Sequence, residues 1–401
     1  MSEIIVDWDQ LEFKECILEN KKSSLKVSFA TNFGDYNFYT SGESILKHHQ
    51  SIINGANIYL ATGGNANVKF EDGAAAYSTD TYSLKTKDNV DTKYLYYYLL
   101  SNLQYINDNF FQGSGLKHLQ KKDLKQFLVK IPKDIREQKK IAEILSKVDG
   151  AIDNTEKLIQ KYEQVKVGLM QDLLTKGIDE NGNIRSEETH QFKDSSLDII
   201  PMEWDYSNFK LLCKFDITYG IVQAGPNIEN GVAYIKTGDL TGDNFKINNL
   251  QRTSVEIAKR FKRSTMELGE IVFALRGDIG NSKIITEEFV GANLTQGTAR
   301  ISFDENKVLN KFAIYMFQMP LIKKQIEEAQ KGTTFQEISL SSLRSFELFY
   351  PNNIREQKVI VKHLDKITDK IIGEIKILNK LKLQKQGLMQ DLLLGKVRVN
   401  Y

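Results

Sequence analysis

The chain repeats itself, and the repeat limits the folds open to it. The stretch from Pro132, PKDIREQKKIAEILSKVDGAIDNTEKLIQKYEQVKVGLMQDLL, aligns without a gap with PNNIREQKVIVKHLDKITDKIIGEIKILNKLKLQKQGLMQDLL from Pro351. Roughly 20 of about 43 positions are identical, far beyond chance, so one unit has been duplicated. The match extends upstream in register, with Gln112-Gly113-Ser114-Gly115-Leu116 facing Lys331-Gly332-Thr333-Thr334-Phe335, and Leu124 and Phe127 facing Leu343 and Phe346. It resumes at the start of each half, where Trp8-Asp9 and Phe13-Lys14 match Trp204-Asp205 and Phe209-Lys210. Between these anchors the halves diverge, and the second is longer by roughly 23 residues. A constant frame around variable middles suits two readers tuned to different targets. Tandem duplication followed by drift gives the same pattern with no such division of labour.

The repeated segments have a helical period. From Ile141 apolar residues step by four and three through Leu145, Val148, Ile152, Ile159, Tyr162, Leu169 and Leu173, a heptad seam. The second copy runs through Ile360, Leu364, Ile367, Ile371, Leu378, Leu381, Leu388 and Leu392. Polar residues interrupt both seams at matching places, Thr155 with Lys166 and Glu374 with Lys385, where they set register at some cost in stability. Two such helices are suited to pack on one another. At roughly 1.5 Å per residue, Ile135 to Leu174 spans about 60 Å, the length of roughly 17 base pairs. Gly168 and Gly387, inside the repeated GLMQDLL, predict either close helix approach or a bend.

Composition is that of a soluble chain, with 41% hydrophobic and 26% charged residues among 401. No stretch approaches the apolar length of a membrane span and the N-terminus lacks a secretory pattern, so a cytoplasmic location is expected. Cys16 and Cys213 lie far apart and form no metal or redox motif. A formal charge of +2 does not by itself indicate nucleic acid.

The variable middles read as mixed α/β globules. Strand-like runs fall at Ala56 to Leu60, Thr81 to Leu84, Val232 to Lys236, Glu270 to Leu275 and Thr298 to Phe303, with helical stretches at Lys93 to Leu103 and Asn310 to Ala329. Glycine and small polar residues crowd the strand ends: Thr62-Gly63-Gly64-Asn65 with Asn67 and Lys69, then Arg276-Gly277-Asp278 with Gly280-Asn281-Ser282-Lys283. Such loops approach a phosphate backbone closely, and Arg, Asn and Gln carry donors that match base edges. Candidate base readers are Asn65, Asn67, Arg276, Asn281 and Gln296, with Thr62, Lys69, Asp278, Lys283 and Thr295 beside them. Lys117 and His118, with Lys121 and Lys122, and on the other side Lys331 and Gln336, surround the repeated glycine loops as candidate phosphate contacts, with Thr333 a further DNA-binding candidate. Ordinary turns and a solvated basic face explain any one of these residues alone.

The order of a variable domain, an I-R-E-Q-K helix ending in G-L-M-Q-D-L-L, the acidic loop KGIDENGNIRSEETH, IPMEW opening a second variable domain and then a second helix resembles the specificity subunits of type I restriction-modification enzymes. DYNFYTSGE from Asp35 to Glu43 and NIYLATGGNANVKF resemble the opening of their target-reading domains. The resemblance covers nearly the whole chain. It implies target-recognition domains at 1–131 and 201–350, helices at 132–176 and 351–395 forming an antiparallel coiled coil, an acidic linker at 177–200, a tail at 396–401 and an internal pseudo-twofold. It also implies that each variable domain reads half of a split double-stranded DNA site. Two modification subunits would carry methyl transfer from S-adenosylmethionine, and two restriction subunits would use ATP and Mg. Arg136, Glu137, Gln138, Arg355, Glu356 and Gln357 would help dock these partners, with capping or packing at the helix start as their other possible role.

Catalytic motifs are missing: no G-x-G-x-x-G, no G-x-x-x-x-G-K-[ST], no H-E-x-x-H, and none of the N/D-P-P-Y/F motif of amino-methyltransferases. Glu12-Phe13-Lys14 and Glu374-Ile375-Lys376 match the end of a nuclease motif, but such tripeptides arise by chance in lysine-rich chains. No catalytic or metal residue is expected. The rival readings are a coiled-coil adaptor with duplicated protein-binding domains, and the recognition part of another DNA methyltransferase or restriction system.

Overall fold

The computed structural model describes residues 7–196, 198–242, 245–330 and 336–401. Two compact units emerge, Met1–Leu158 with Glu374–Tyr401, and Ile159–Gly373. The long helices are Ile135–Thr175 and Ile354–Leu393, so each unit holds part of both. In the first unit Ile141 and Leu145 share a core with Leu392 and Leu393. In the second, Leu173 and Leu174 share one with Ile360 and Leu364. The start of each helix thus packs beside the end of the other, an antiparallel pair. Of the polar interruptions, Lys385 pairs with Asp149 at 2.6 Å and Thr155 bonds the Ala151 carbonyl at 2.8 Å. An added Cβ at Gly168 or Gly387 meets no atom within 4 Å, so close approach is not what keeps these positions glycine.

Each globule is closed by its own ends. In the first unit Trp8–Glu12 pairs antiparallel with Leu128–Pro132, Trp8 opposite Pro132; in the second Trp204–Asn208 pairs with Glu347–Pro351, Trp204 opposite Pro351. The backbone N–H of Phe13 donates to Phe127 at 2.7 Å, and that of Phe209 to Phe346 at 2.8 Å. Anchors far apart in sequence are therefore neighbours in space, and the strand they close leads through a proline into the long helix.

The middles share a topology that their sequences hide. The first unit has a four-stranded sheet in the order Ile17–Glu19, Thr81–Thr86, Ala56–Ala61, Val68–Asp72; the second has Thr218–Tyr219, Thr298–Ile301, Ile271–Ala274, Ser282–Ile284. Each also has a three-stranded sheet with one parallel pair, Tyr36–Tyr39 beside Ala75–Tyr77 and Val232–Ile235 beside Asn293–Leu294. All five predicted strands form. The helix predicted at Asn310 to Ala329 divides into Asn310–Met316 and Pro320–Ala329, because a proline disfavours helix in the residue before it yet suits a helix's first turn.

The acidic linker after the first long helix is partly packed away. Gly177 turns it with φ of +64°, Phe192–Asp194 pairs with Ile199–Pro201, and Ile178, Arg185 and Ile200 are buried.

Candidate nucleic-acid interface

Strand Ala56–Ala61 runs out into Thr62-Gly63-Gly64, where Gly64 has φ of +80°; strand Ile271–Ala274 runs out into Leu275-Arg276-Gly277, where Gly277 has φ of +66°. In the first unit Leu119 donates its backbone N–H to Thr62 at 3.0 Å, and in the second Ile338 donates to Leu275 at 3.0 Å. Isolated bridges pair Gly63 with His118 and Arg276 with Glu337. One backbone frame is thus built twice, with Gly63 and His118 in the places of Arg276 and Glu337.

The frame also shows what several predicted readers do. Asn67 and Asn281 stand at the same place, since Ala61 donates to the Asn67 carbonyl at 3.1 Å and Ala274 to the Asn281 carbonyl at 2.8 Å. Both side-chain amides reach a carbonyl of the preceding loop, Asn67 to Ser41 at 2.6 Å and Asn281 to Leu240 at 3.0 Å. Both amides latch the loop through one donor each, and both side chains are half-buried. The expectation for Lys69 is corrected: it is 9% exposed, and its ammonium donates to the carbonyls of Thr40, at 3.1 Å, and Gly42. Strand alternation turned it inward, and burial holds its pKa below the ordinary lysine value. Thr295 matches Ser78, their N–H groups donating to Ile235 at 3.2 Å and to Tyr39 at 2.9 Å, so it joins the two sheets. The Thr62 hydroxyl donates to Asp80 at 2.6 Å.

The remaining candidates sit at the open edge of the frame. In the first unit a cleft of about 450 Å³ is bordered by Ser41, Thr62, Asn65, Asn67, Leu116 and His118, with Asn65 and His118 exposed and Lys117 half-buried. In the second, Arg276 is exposed, and its Nε donates to Glu337 Oε2 at 2.7 Å. Asp278 accepts from the Thr241 hydroxyl at 2.9 Å, Gln296 and Lys283 are half-buried, and Gln336 is exposed. Lys331 and Thr333 lie outside the described residues.

The six helix-start residues divide sharply. Gln138 and Gln357 are at most 1% exposed and play one role. The Gln138 Oε1 accepts from the Asp91 N–H at 2.8 Å, while Nε2 donates to Pro132 at 2.8 Å and Asn89 at 3.1 Å. The Gln357 Oε1 accepts from the Leu309 N–H at 2.9 Å, while Nε2 donates to Pro351 at 2.9 Å and Lys307 at 2.7 Å. Each ties a globule helix to its long helix. Glu137 takes two bonds from Arg398, at 2.7 and 2.8 Å. Glu356 takes Arg185 at 2.6 and 3.0 Å, with the Trp204 indole and the Ile178 N–H at 3.1 Å each. Each glutamate at a helix start thus holds an arginine from just beyond the end of the other long helix. Burial removes these four side chains from any docking surface, a correction; packing is the work they do. Arg136 and Arg355 remain exposed.

Both units therefore repeat one construction, and a family model agrees. The model described as "Type I restriction modification DNA specificity domain" matches residues 5–164 and again 201–383. The chain belongs to this family. Type I specificity-family relatives include the MjaVIII specificity subunit of Methanocaldococcus jannaschii, 25% identical over 98% of this chain and 93% of the relative. The Escherichia coli EcoBI specificity subunit is 25% identical over 70% of this chain and 60% of its own. The fold resembles the S subunit of a type I restriction-modification system from M. genitalium, with a TM-score of 0.68 at 17% identity, covering 98% of this chain and 97% of that one. A second solved structure, from work on complex assembly and conformational transition of the type I system, has a TM-score of 0.53 at 14% identity, covering 99% of this chain and all of that one.

For a specificity-family chain, the residue that sequence reasoning missed is Glu337. Its signal was available: the register that sets Gln112 opposite Lys331 sets Lys117 and His118 opposite Gln336 and Glu337. A search for donors toward phosphate passes over a carboxylate.

Proposed function

We propose that this chain is the DNA-reading subunit of a type I restriction-modification complex, each unit recognising one half of a split double-stranded site. The observation that carries the reading is the frame built twice with different side chains at its open edge, Gly63 with His118 in one copy and Arg276 with Glu337 in the other. Equal backbones with unequal side chains suit two readers of unequal half-sites, whereas an adaptor with two identical partners would keep the side chains alike. The chain itself performs no chemistry. Two modification subunits transfer methyl groups from S-adenosylmethionine to adenine, and two restriction subunits, when present, use ATP and Mg. The reading assigns the Mg to the restriction subunits. The exposed Arg136 and Arg355 stay as candidates for docking them.

The test is to reconstitute the chain with its modification subunits and map methylated adenines on random DNA. Two short half-sites around a fixed unspecified gap are expected. A complex that assembles and binds cofactor but leaves no split motif would favour the adaptor.

A further inference from the structure

We infer that Arg276 reads a guanine in one half-site and that Glu337 is its positioning residue. The inference rests on the DNA-reading function proposed above and adds a base identity to it.

The paired loops fix the place. Arg276 and Glu337 face each other across an antiparallel bridge, and the same bridge in the first unit joins Gly63 to His118. The two readers therefore differ at this point by the presence or absence of a whole guanidinium on a matched backbone.

The geometry supplies the base. Arg276 Nε donates to Glu337 Oε2 at 2.7 Å. Among the described residues neither Nη1 nor Nη2 of Arg276 has a hydrogen-bond partner. Anchoring a planar guanidinium at Nε leaves its two terminal nitrogens as a pair of parallel donors, the pattern that matches O6 and N7 of guanine in the major groove. The arm is also confined on one side. A Cβ at Gly297 would lie 3.8 Å from Arg276 Cδ and 3.3 Å from Thr237 Cγ2, so the side chain passes close over Gly297.

Stability does not account for the pair. The two side chains are 46% and 52% exposed, and exposed ion pairs add little while ordering two long side chains. A carboxylate at a DNA-facing edge repels phosphate unless paired, and the pair as a whole is neutral. Its contribution should therefore appear in selectivity and not in the salt dependence that phosphate contacts produce.

The experiment uses the full chain with its modification subunits, comparing methylation motifs of wild type, Arg276→Ala, Arg276→Lys and Glu337→Ala. Unfolding midpoints and complex assembly serve as controls, and exposed side chains should leave both unchanged. Wild type is expected to require guanine at one position. Arg276→Ala should lower discrimination there by roughly 5- to 150-fold, leaving every other position intact. Arg276→Lys should relax the same position, because a point charge lacks the fork. Glu337→Ala should relax it less, without weakening binding to unrelated DNA. Unchanged base preference at that position in Arg276→Ala, whether or not the unpaired Glu337 carboxylate also lowers methylation at all sites, overturns the inference while the split motif keeps the broader function standing. A wild-type complex with no split motif overturns both.

Discussion

Glu356 shows how much one position in a repeat can differ from its twin. Its carboxylate accepts four bonds, from two guanidinium nitrogens of Arg185, the Trp204 indole and the Ile178 N–H. The side chains of Arg185 and Glu356 are both 7% exposed. Gly177 belongs to the same cluster, since a Cβ there would lie 2.2 Å from Glu356 Oε1. Glu137 in the first unit binds an arginine that is 40% exposed, and among the described residues Trp8 Nε1 has no partner where Trp204 has one. Removing Glu356 leaves the buried Arg185 guanidinium with the largely exposed Glu203 carboxylate, 3.6 Å away, in place of a bidentate partner, whereas Arg398 can rehydrate. Glu356→Ala is thus expected to cost about 3–5 kcal/mol, and Glu137→Ala about 1–2 kcal/mol. Denaturant unfolding of the two variants measures the difference, and equal losses would contradict the argument.

At the scale of elements, the repeat keeps a function while moving the residue that performs it. Tyr97 donates to Asp149 at 2.7 Å and Tyr315 to Asp365 at 2.8 Å, yet in the aligned helices Asp149 faces Thr368 and Asp365 faces Ser146. The acid has changed places by one turn and still meets the tyrosine, because residues three apart share a helix face. The helix starts are built alike but respond differently to acid. Asp134 accepts from the Arg136 N–H at 2.8 Å and Asn353 from the Arg355 N–H at 2.9 Å. The Arg136 guanidinium, followed by its N–H, holds the Asp134 carboxyl down at about 2. A carboxyl with a lowered folded pKa stabilises above its ordinary value, and the benefit is lost as pH falls through the folded one. The advantage of wild type over Asp134→Asn should therefore be full above about pH 5 and shrink between about pH 4 and pH 2. The second helix start, already asparagine, should show no such window. Unfolding midpoints across that range test both statements.

For the whole molecule, net charge hides the expected ligand, and salt dependence exposes it. If both units contact phosphates as proposed, DNA affinity should fall by about 10³-fold or more between 50 and 200 mM salt. A flat response would point to the adaptor. The duplication, the heptad seams and the strand periods were legible in the amino-acid order, because each is a local or repeated pattern that survives without knowledge of distant contacts. They determined two mixed α/β globules and a pair of long helices, and the family followed from the same residues. Sequence could not show that the divergent middles share one sheet order, since strands need a period of apolar residues and not particular ones. Nor could it sort the site: Lys69 looks like a reader until strand pairing turns it toward loop carbonyls. Gln138 and Gln357 look like docking residues until the globule helices close over them. Which polar groups face inward depends on partners tens of residues away, and only the tertiary structure brings those partners together.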